Sequence, residues 1–224
     1  SLLHPTLTDE ELRKGCGLAK KYNTASVCIK PYAVRLAVEV LKGSEVKIGA
    51  VVGFPHGNSK TEIKVHEADL ACKEGAAEID MVVNIGKVLS RDWEYVEREI
   101  KEVTDIVHKH KAAIKIIYEN DFLPDDEFKI KLCKICERVK VDFVKTSSGY
   151  GFVKDKDGKY SYKGATSHDL RLMRENCSDA VEVKAAGGVR TLDDALRVRS
   201  LGATRIGTTS TEAIPEEARK KGIQ

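Results

Sequence analysis

Short apolar runs alternate with amphipathic helical patterns along the whole chain. The runs lie at residues 25–29, 46–52, 78–83, 112–118, 141–145, 181–185 and 204–206. They are too apolar to keep a solvent face, and each is separated from the next by a helix-length segment. Strands buried on both faces and joined by helices belong to a parallel sheet. Seven such strands are visible, and a closed (β/α)8 barrel needs an eighth. Ser1-Leu2-Leu3, ahead of His4-Pro5, is the candidate, so the expectation is a TIM barrel whose first strand is truncated at the N-terminus. An open doubly wound sheet is the alternative; against it, no GxGxxG follows the first run. The 224 residues contain no Pro-, Gly- or Ser-rich linker and fit one barrel domain over 1–224.

The helical patterns carry start and stop signals. Thr8 caps a helix opening with Asp9, Glu10 and Glu11. Pro31 suits a first helical turn, and Ser59 with Glu62 reads as a capping box before a helix ended by Gly75. Residues 91–110 form a long charged helix, and Pro124 precedes another at 125–140. Thr166 or Ser167 caps the next, Thr191 and Asp194 open another, and the last spans 215–221.

Composition excludes more than it specifies. Charged residues make up 33% of the chain, yet the net charge is only +3. That balance does not call for nucleic acid or a membrane surface, and it suits a small anionic substrate. Six scattered cysteines show no disulfide framework, as expected of a reduced, cytoplasmic protein. Cys133 and Cys136 have CxxC spacing, but no second pair exists and both lie in a helical pattern. Packed thiols explain them better than a zinc or redox site. No stretch reads as a signal peptide or a membrane span.

Strand parity places charges in the barrel interior. Side chains alternate across a strand. Ile79, Met81 and Val83, Ile114 and Ile116, and Val181 and Val183 form one apolar parity set, which the helices must cover. The other set holds Asp80, Lys115, Glu119, Lys145, Glu182 and Lys184. Interior charges cost free energy unless paired, so a structural ion-pair network is one reading. The functional reading rests on Asp80, Lys145 and Lys184 all falling near strand C-termini, the catalytic face of such barrels. A lysine becomes nucleophilic when desolvated or placed beside a second cation. Lys145 and Lys184 end two successive strands and are candidates for Schiff-base chemistry.

Two small-residue loops follow the last strands: Gly187-Gly188-Val189-Arg190 and Gly207-Thr208-Thr209-Ser210. Glycines allow close backbone approach, and helix N-termini favour anions. Loops at these positions form the phosphate cradle of many barrels. Gly149, four residues past Lys145, offers a third contact.

These segments resemble deoxyribose-phosphate aldolase, a class I aldolase family. The matching stretches include Glu78-Ile79-Asp80-Met81-Val82-Val83-Asn84, Lys145-Thr146-Ser147-Ser148-Gly149 and Lys184-Ala185-Ala186-Gly187-Gly188-Val189-Arg190. Val27-Cys28-Ile29-Lys30-Pro31, Gly53-Phe54-Pro55-His56-Gly57 and the Gly207 segment also match, so the resemblance spans nearly the whole chain. It implies a TIM barrel that reversibly cleaves 2-deoxyribose 5-phosphate to glyceraldehyde 3-phosphate and acetaldehyde, in deoxyribonucleotide catabolism. It implies Lys145 as the Schiff-base lysine, Lys184 as the neighbouring cation that keeps it deprotonated, and Asp80 in proton transfer. Gly149, Gly187, Gly188, Gly207, Thr209 and Ser210 would hold the phosphate, Cys28 would line the acceptor pocket, and Thr146 joins the substrate-binding set. No cofactor or metal is implied, because the iminium is the electron sink. The family also implies a homo-oligomer, dimer or tetramer.

The segment 150–163 after Lys145 is long for a strand-to-helix loop. Asp157-Gly158 reads as the turn of a hairpin between two short arms. A decorative surface hairpin is one reading; a shield for the site or a subunit contact is the other. Glu119, ending the fourth run, is expected to tune Lys115 or Lys145. His108 and His110 fit a solvated helix end.

Overall fold

The computed structural model describes residues 1–223. In chain order the elements are α1 (Asp9–Lys21), β1 (Ser26–Ile29), α2 (Val34–Leu41), β2 (Lys47–Val52), α3 (Thr61–Glu74) and β3 (Glu78–Val82). There follow α4 (Ile85–Leu89), α5 (Trp93–Lys109), β4 (Ala113–Ile117), α6 (Asp126–Val139) and β5 (Phe143–Lys145). A hairpin of β6 (Val153–Lys154) and β7 (Tyr160–Ser161) interrupts the alternation. It resumes with α7 (Ser167–Glu175), β8 (Glu182–Ala186), α8 (Leu192–Ser200), β9 (Ala203–Gly207) and α9 (Ala213–Lys220).

Seven strands form one parallel sheet in the order β1-β2-β3-β4-β5-β8-β9. The sheet is curled into a ring. Arg205 on β9 reaches Glu78 on β3 at 2.9 Å and Ser26 on β1 at 3.2 Å, which a flat sheet would forbid. Leu2 takes the eighth strand position: it bridges Ile29 in parallel, and its N–H donates to Cys28 O at 2.8 Å. The Ser1 amine donates to Thr208 O beyond β9, so both edges of the sheet are tied together. This is the expected (β/α)8 architecture.

The outer layer is apolar for the reason parity gives. Ile79, Met81, Ile114, Ile116, Val144 and Val183 are fully buried beneath the helices. On α5 the inward stripe is Val96, Ile100, Val103 and Val107, spaced at helical intervals. A buried ion pair breaks that stripe: Glu99 accepts from Lys64 of α3 at 2.8 Å, with both side chains fully enclosed. Lys64 also donates to Val82 O, and Glu99 takes the Asn84 N–H, so the pair braces the end of β3.

Caps fall as expected at Thr8, Thr166 and Thr191. The expected Ser59–Glu62 capping box does not form. The chain enters α3 through Lys60, one residue later, without a side-chain cap. The long helix expected at 91–110 starts only at Trp93, because Arg91 is left-handed and Asp92 caps the new start. A separate short helix, α4, precedes it, capped by Asn84. The Asp157-Gly158 hairpin is present, with Gly158 at φ +82°. Cys133 and Cys136 are fully buried on α6. His108 and His110 lie against Asp142 and Asp69 at 2.9 and 2.7 Å.

Candidate active site

Strand register assembles the polar interior. Asp80 on β3 is paired with Lys115 on β4, and Lys145 on β5 is paired with Lys184 on β8. Lys145 also stands opposite Ile117, two residues beyond Lys115, so the two lysines form a layer nearer the strand C-termini than Asp80. The Asp80 carboxylate reaches up to both. Its Oδ2 accepts from Lys145 Nζ at 2.7 Å and from Lys184 Nζ at 2.6 Å. Its Oδ1 lies 2.9 Å from Lys115 Nζ, close in distance but poorly angled for a hydrogen bond. All four side chains are buried. Three ammonium groups thus converge on one carboxylate.

The electrostatics follow from that count. Burial pushes the Asp80 carboxyl up, but Lys115, Lys145 and Lys184 together hold it well below the usual carboxylate range. Lys184 is driven down to about 8, mainly by burial. Asp80 opposes that fall, whereas the like charges of Lys145 and Lys115 deepen it. Lys115 moves the other way: burial lowers it, but Asp80 and Glu78 overcome the loss and raise it. Burial and these like charges thus make Lys184 a weakened ammonium.

A second polar layer closes the floor. Glu78 pairs with Lys115 at 2.7 Å and with Arg205 at 2.9 Å. Its carboxyl is held low; burial opposes this, and Lys115 and Arg205 prevail. The Phe143 ring lies between the two cations, 5.7 Å from Lys115 Nζ and 5.4 Å from the Arg205 guanidinium. The interior charges are thus of two kinds: a paired floor and a lysine-rich upper layer. Arg205 was not expected from sequence, since three apolar-run residues give too little parity to place it. Glu182, expected among the interior charges, is half-buried at the start of β8.

Above this layer, the expected site residues divide. Cys28 is buried with its Sγ 3.9 Å from Asp80 Oδ2. Gly149, Gly187 and Gly188 have φ of +91°, +88° and +80°, a region that favours glycine. A cleft of about 230 Å³ between β1 and β9 is lined by Cys28, Lys184, Gly207, Thr209 and Ser210, facing Leu2, Leu18 and Ile214. Lys145, Gly149, Gly187 and Gly188 are not part of that lining. The Ser210 N–H already donates to Thr208 Oγ1, which leaves its hydroxyl for a ligand. Thr146, expected in the substrate-binding set, bonds within the fold. It is fully buried, and its hydroxyl donates to Ala186 O at 2.8 Å and accepts from Ala186 N at 3.0 Å. These two bonds staple the end of β5 to β8 and use the hydroxyl's one donor. Ser147, next to it, is the residue that sequence reasoning passed over. Its Oγ is buried without a hydrogen-bond partner among the described residues.

Glu119 meets its expectation in part, since the charge of Lys145 acts on its carboxyl. It adopts φ +56° and makes no ion pair with Lys115 or Lys145 among the described residues. Its carboxylate instead accepts the Ser148 N–H at 3.1 Å and fixes the loop that follows Lys145. Burial raises its pKa against that hydrogen bond.

Away from the barrel mouth, Asp126, His168 and Asp169 bring metal-type ligand atoms together. Lys129 already pairs with both carboxylates, at 2.7 Å from Asp169 and 3.3 Å from Asp126. Among the described residues no helix is long and apolar enough to cross a membrane.

Comparison with known proteins agrees with this geometry. The family model for the DeoC/LacD family aldolase matches residues 3–213. A deoxyribose-phosphate aldolase of Rhodopirellula baltica is 49% identical over 99% of this chain and 87% of its own length. One from Thermococcus gammatolerans is 44% identical, covering 97% of this chain and 92% of that protein. Among solved structures, an aldolase called QR15 superposes with a TM-score of 0.88 at 34% identity, covering 98% of this chain and 93% of that one. The tetrameric deoxyribose phosphate aldolase from Aeropyrum pernix gives 0.85 at 29% identity, with coverages of 99% and 88%. Matched over nearly its full length by the family model and by relatives well above 40% identity, this chain belongs to the DeoC/LacD aldolase family.

Proposed function

We propose that this protein is a class I aldolase that reversibly cleaves 2-deoxy-D-ribose 5-phosphate to D-glyceraldehyde 3-phosphate and acetaldehyde. The observation that carries the reading is the pair of lysines sharing one oxygen of Asp80. Lys145 is the nucleophile. Lys184, whose pKa is lowered to about 8, serves here as a proton acceptor and not as the standing cation that the resemblance implied: it takes up the proton that Lys145 gives up. Asp80 Oδ2 touches both ammonium groups and is the path between them. A carboxylate held so far below its ordinary range is a weak base, so Asp80 conducts the proton and Lys184 accepts it.

Neutral Lys145 attacks the C1 aldehyde of the open sugar, and loss of water gives an iminium. Lys184 returns its proton to the departing water and then takes the C3 hydroxyl proton through Asp80; the C2–C3 bond breaks, and its electron pair passes to the iminium as an enamine. Glyceraldehyde 3-phosphate departs. Protonation at C2 and hydrolysis release acetaldehyde and restore Lys145. Gly149, Gly187, Gly188, Gly207, Thr209 and Ser210 hold the phosphate and thereby fix the distance from phosphate to C1. Cys28 lines the pocket beside Asp80. No cofactor is required by this route.

The whole chain works as one barrel domain in the cytoplasm, within deoxyribonucleotide catabolism, as a homo-oligomer. The tetramer of the Aeropyrum pernix relative supports that last point. The test is product analysis with 2-deoxyribose 5-phosphate. Equimolar acetaldehyde and glyceraldehyde 3-phosphate from the native protein, and neither from Lys145→Ala, are the expected results. A different aldehyde released from another phosphorylated sugar would keep the chemistry and change the substrate.

A further inference from the structure

The β6–β7 hairpin is mounted on the site by both feet. Its rising foot is Gly151, where a Cβ would lie 2.7 Å from the Glu119 carboxyl carbon. Its descending foot is clamped by Asp121, which accepts the Lys163 and Gly164 N–H groups. Ala165 N then donates to Gly187 O at 3.0 Å. A Cβ on Gly164 would meet Gly187 O at 2.5 Å, so only glycine permits this approach. Glu119 and Asp121 belong to the turn after β4, and Gly187 to the loop after β8. The hairpin is therefore held between two catalytic-face loops and does not hang from a single tether.

Its inner surface covers the Gly187 backbone. The Tyr162 ring comes to 3.5 Å, and Ser147 Cβ to 3.4 Å, of where a Gly187 Cβ would sit. Phe152 packs edge-on against Tyr162, with centroids 5.2 Å apart. Lys163 follows Tyr162 directly. Its carbonyl is 3.7 Å from the Cβ position of Gly188, its N–H is spent on Asp121, and its side chain is exposed. Beneath lies the buried Ser147 hydroxyl, which has no protein partner among the described residues. A buried unpaired hydroxyl is costly and points to a polar ligand. The hairpin segment 150–163 also carries Lys154, Lys156, Lys159 and Lys163 against only Asp155 and Asp157. Asp155 is folded onto the turn N–H groups of Asp157 and Lys159.

We infer that this hairpin is the phosphate-side wall of the site: Tyr162 roofs Gly187, Ser147 lies below it, and Lys163 supplies a cation to the substrate phosphate at the Gly187–Gly188 backbone. The inference rests on the aldolase reading and adds to it a residue that discriminates phosphorylated from unphosphorylated substrate. A rim cation acts on binding more than on chemistry, so its loss raises KM and leaves kcat little changed. The attraction weakens as salt screens it.

The experiment compares kcat/KM for 2-deoxyribose 5-phosphate and for 2-deoxyribose in the native protein, Lys163→Ala and Lys163→Glu. Borohydride trapping of acetaldehyde, which carries no phosphate, runs alongside on each protein. The expected result is a preference for the phosphate ester that falls about fivefold in Lys163→Ala and further in Lys163→Glu, mostly through KM, with Lys145 still trapped. Lys163→Arg should restore the preference. An unchanged preference in Lys163→Glu with trapping intact would overturn the hairpin role and leave the aldolase reading standing. No trapping in the native protein would remove the aldolase reading and this inference with it.

Discussion

At the residue scale, the proposed chemistry turns on Lys184. It is enclosed, it shares Asp80 Oδ2 with Lys145, and its pKa is lowered to about 8. In the reaction proposed here, turnover rises with pH as Lys184 loses its proton, so log kcat/KM climbs through an apparent pKa near 8. Replacing Lys184 with Leu removes that limb and lowers kcat by about 10²–10⁴-fold, the usual cost of losing a general acid–base group. A pH–rate profile of the two proteins checks this, and an unaltered limb in Lys184→Leu would assign it to another group. Sequence parity was enough to bring Asp80, Lys145 and Lys184 to one interior. It could not say that the Lys184 ammonium would be weakened, because that depends on how completely the folded interior desolvates it.

At the element scale, the ends of β5 and β8 are joined by more than their ladder. Thr146 accepts from and donates to the Ala186 backbone, and both groups are buried. Thr146→Val keeps the shape and deletes the staple. It should cost about 2 kcal/mol, because two buried backbone groups lose a partner. A thermal melt reads that loss, and a drop in kcat would accompany it as Lys145 shifts relative to Asp80. The strands, the order of elements and the hairpin were all legible, because period-2 apolar runs and Asp-Gly turns are local signals. Caps were legible where the residue stood directly at the helix start, as with Thr8 and Thr191. Ser59 failed because the chain turns into α3 at Lys60, a choice the loop makes and the motif does not record. For Thr146 the sequence shows only a hydroxyl beside Lys145, and only the fold shows that it bridges to the neighbouring strand.

At the scale of the whole molecule, the charged interior ties stability to pH. Asp80 and Glu78 both sit below their ordinary pKa values in the fold. Their contribution is therefore present above the ordinary carboxylate range and is lost as pH falls through the lower folded values. Urea midpoints should hold near neutrality and drop below about pH 4. Lys184 acts in the same direction, but in an alkaline window. Between about 8 and its ordinary 10.5, the unfolded chain holds a proton that the folded chain has released, so this lysine's share of stability grows with rising pH. A midpoint insensitive to acid would mean that the interior carboxylates are not paired in solution as they are here. The same ring closure that buries these charges, through Leu2 against β1 and Arg205 across to β3, brings Asp80, Lys145 and Lys184 together from strands far apart in sequence.

The most direct measurement is borohydride reduction in the presence of acetaldehyde, followed by peptide mapping by mass spectrometry. A two-carbon adduct confined to Lys145 is the expected result, and it should vanish in Lys145→Ala. An adduct on Lys184 would exchange the roles assigned to the two lysines. No adduct on either, from a folded protein, would contradict Schiff-base catalysis at this site.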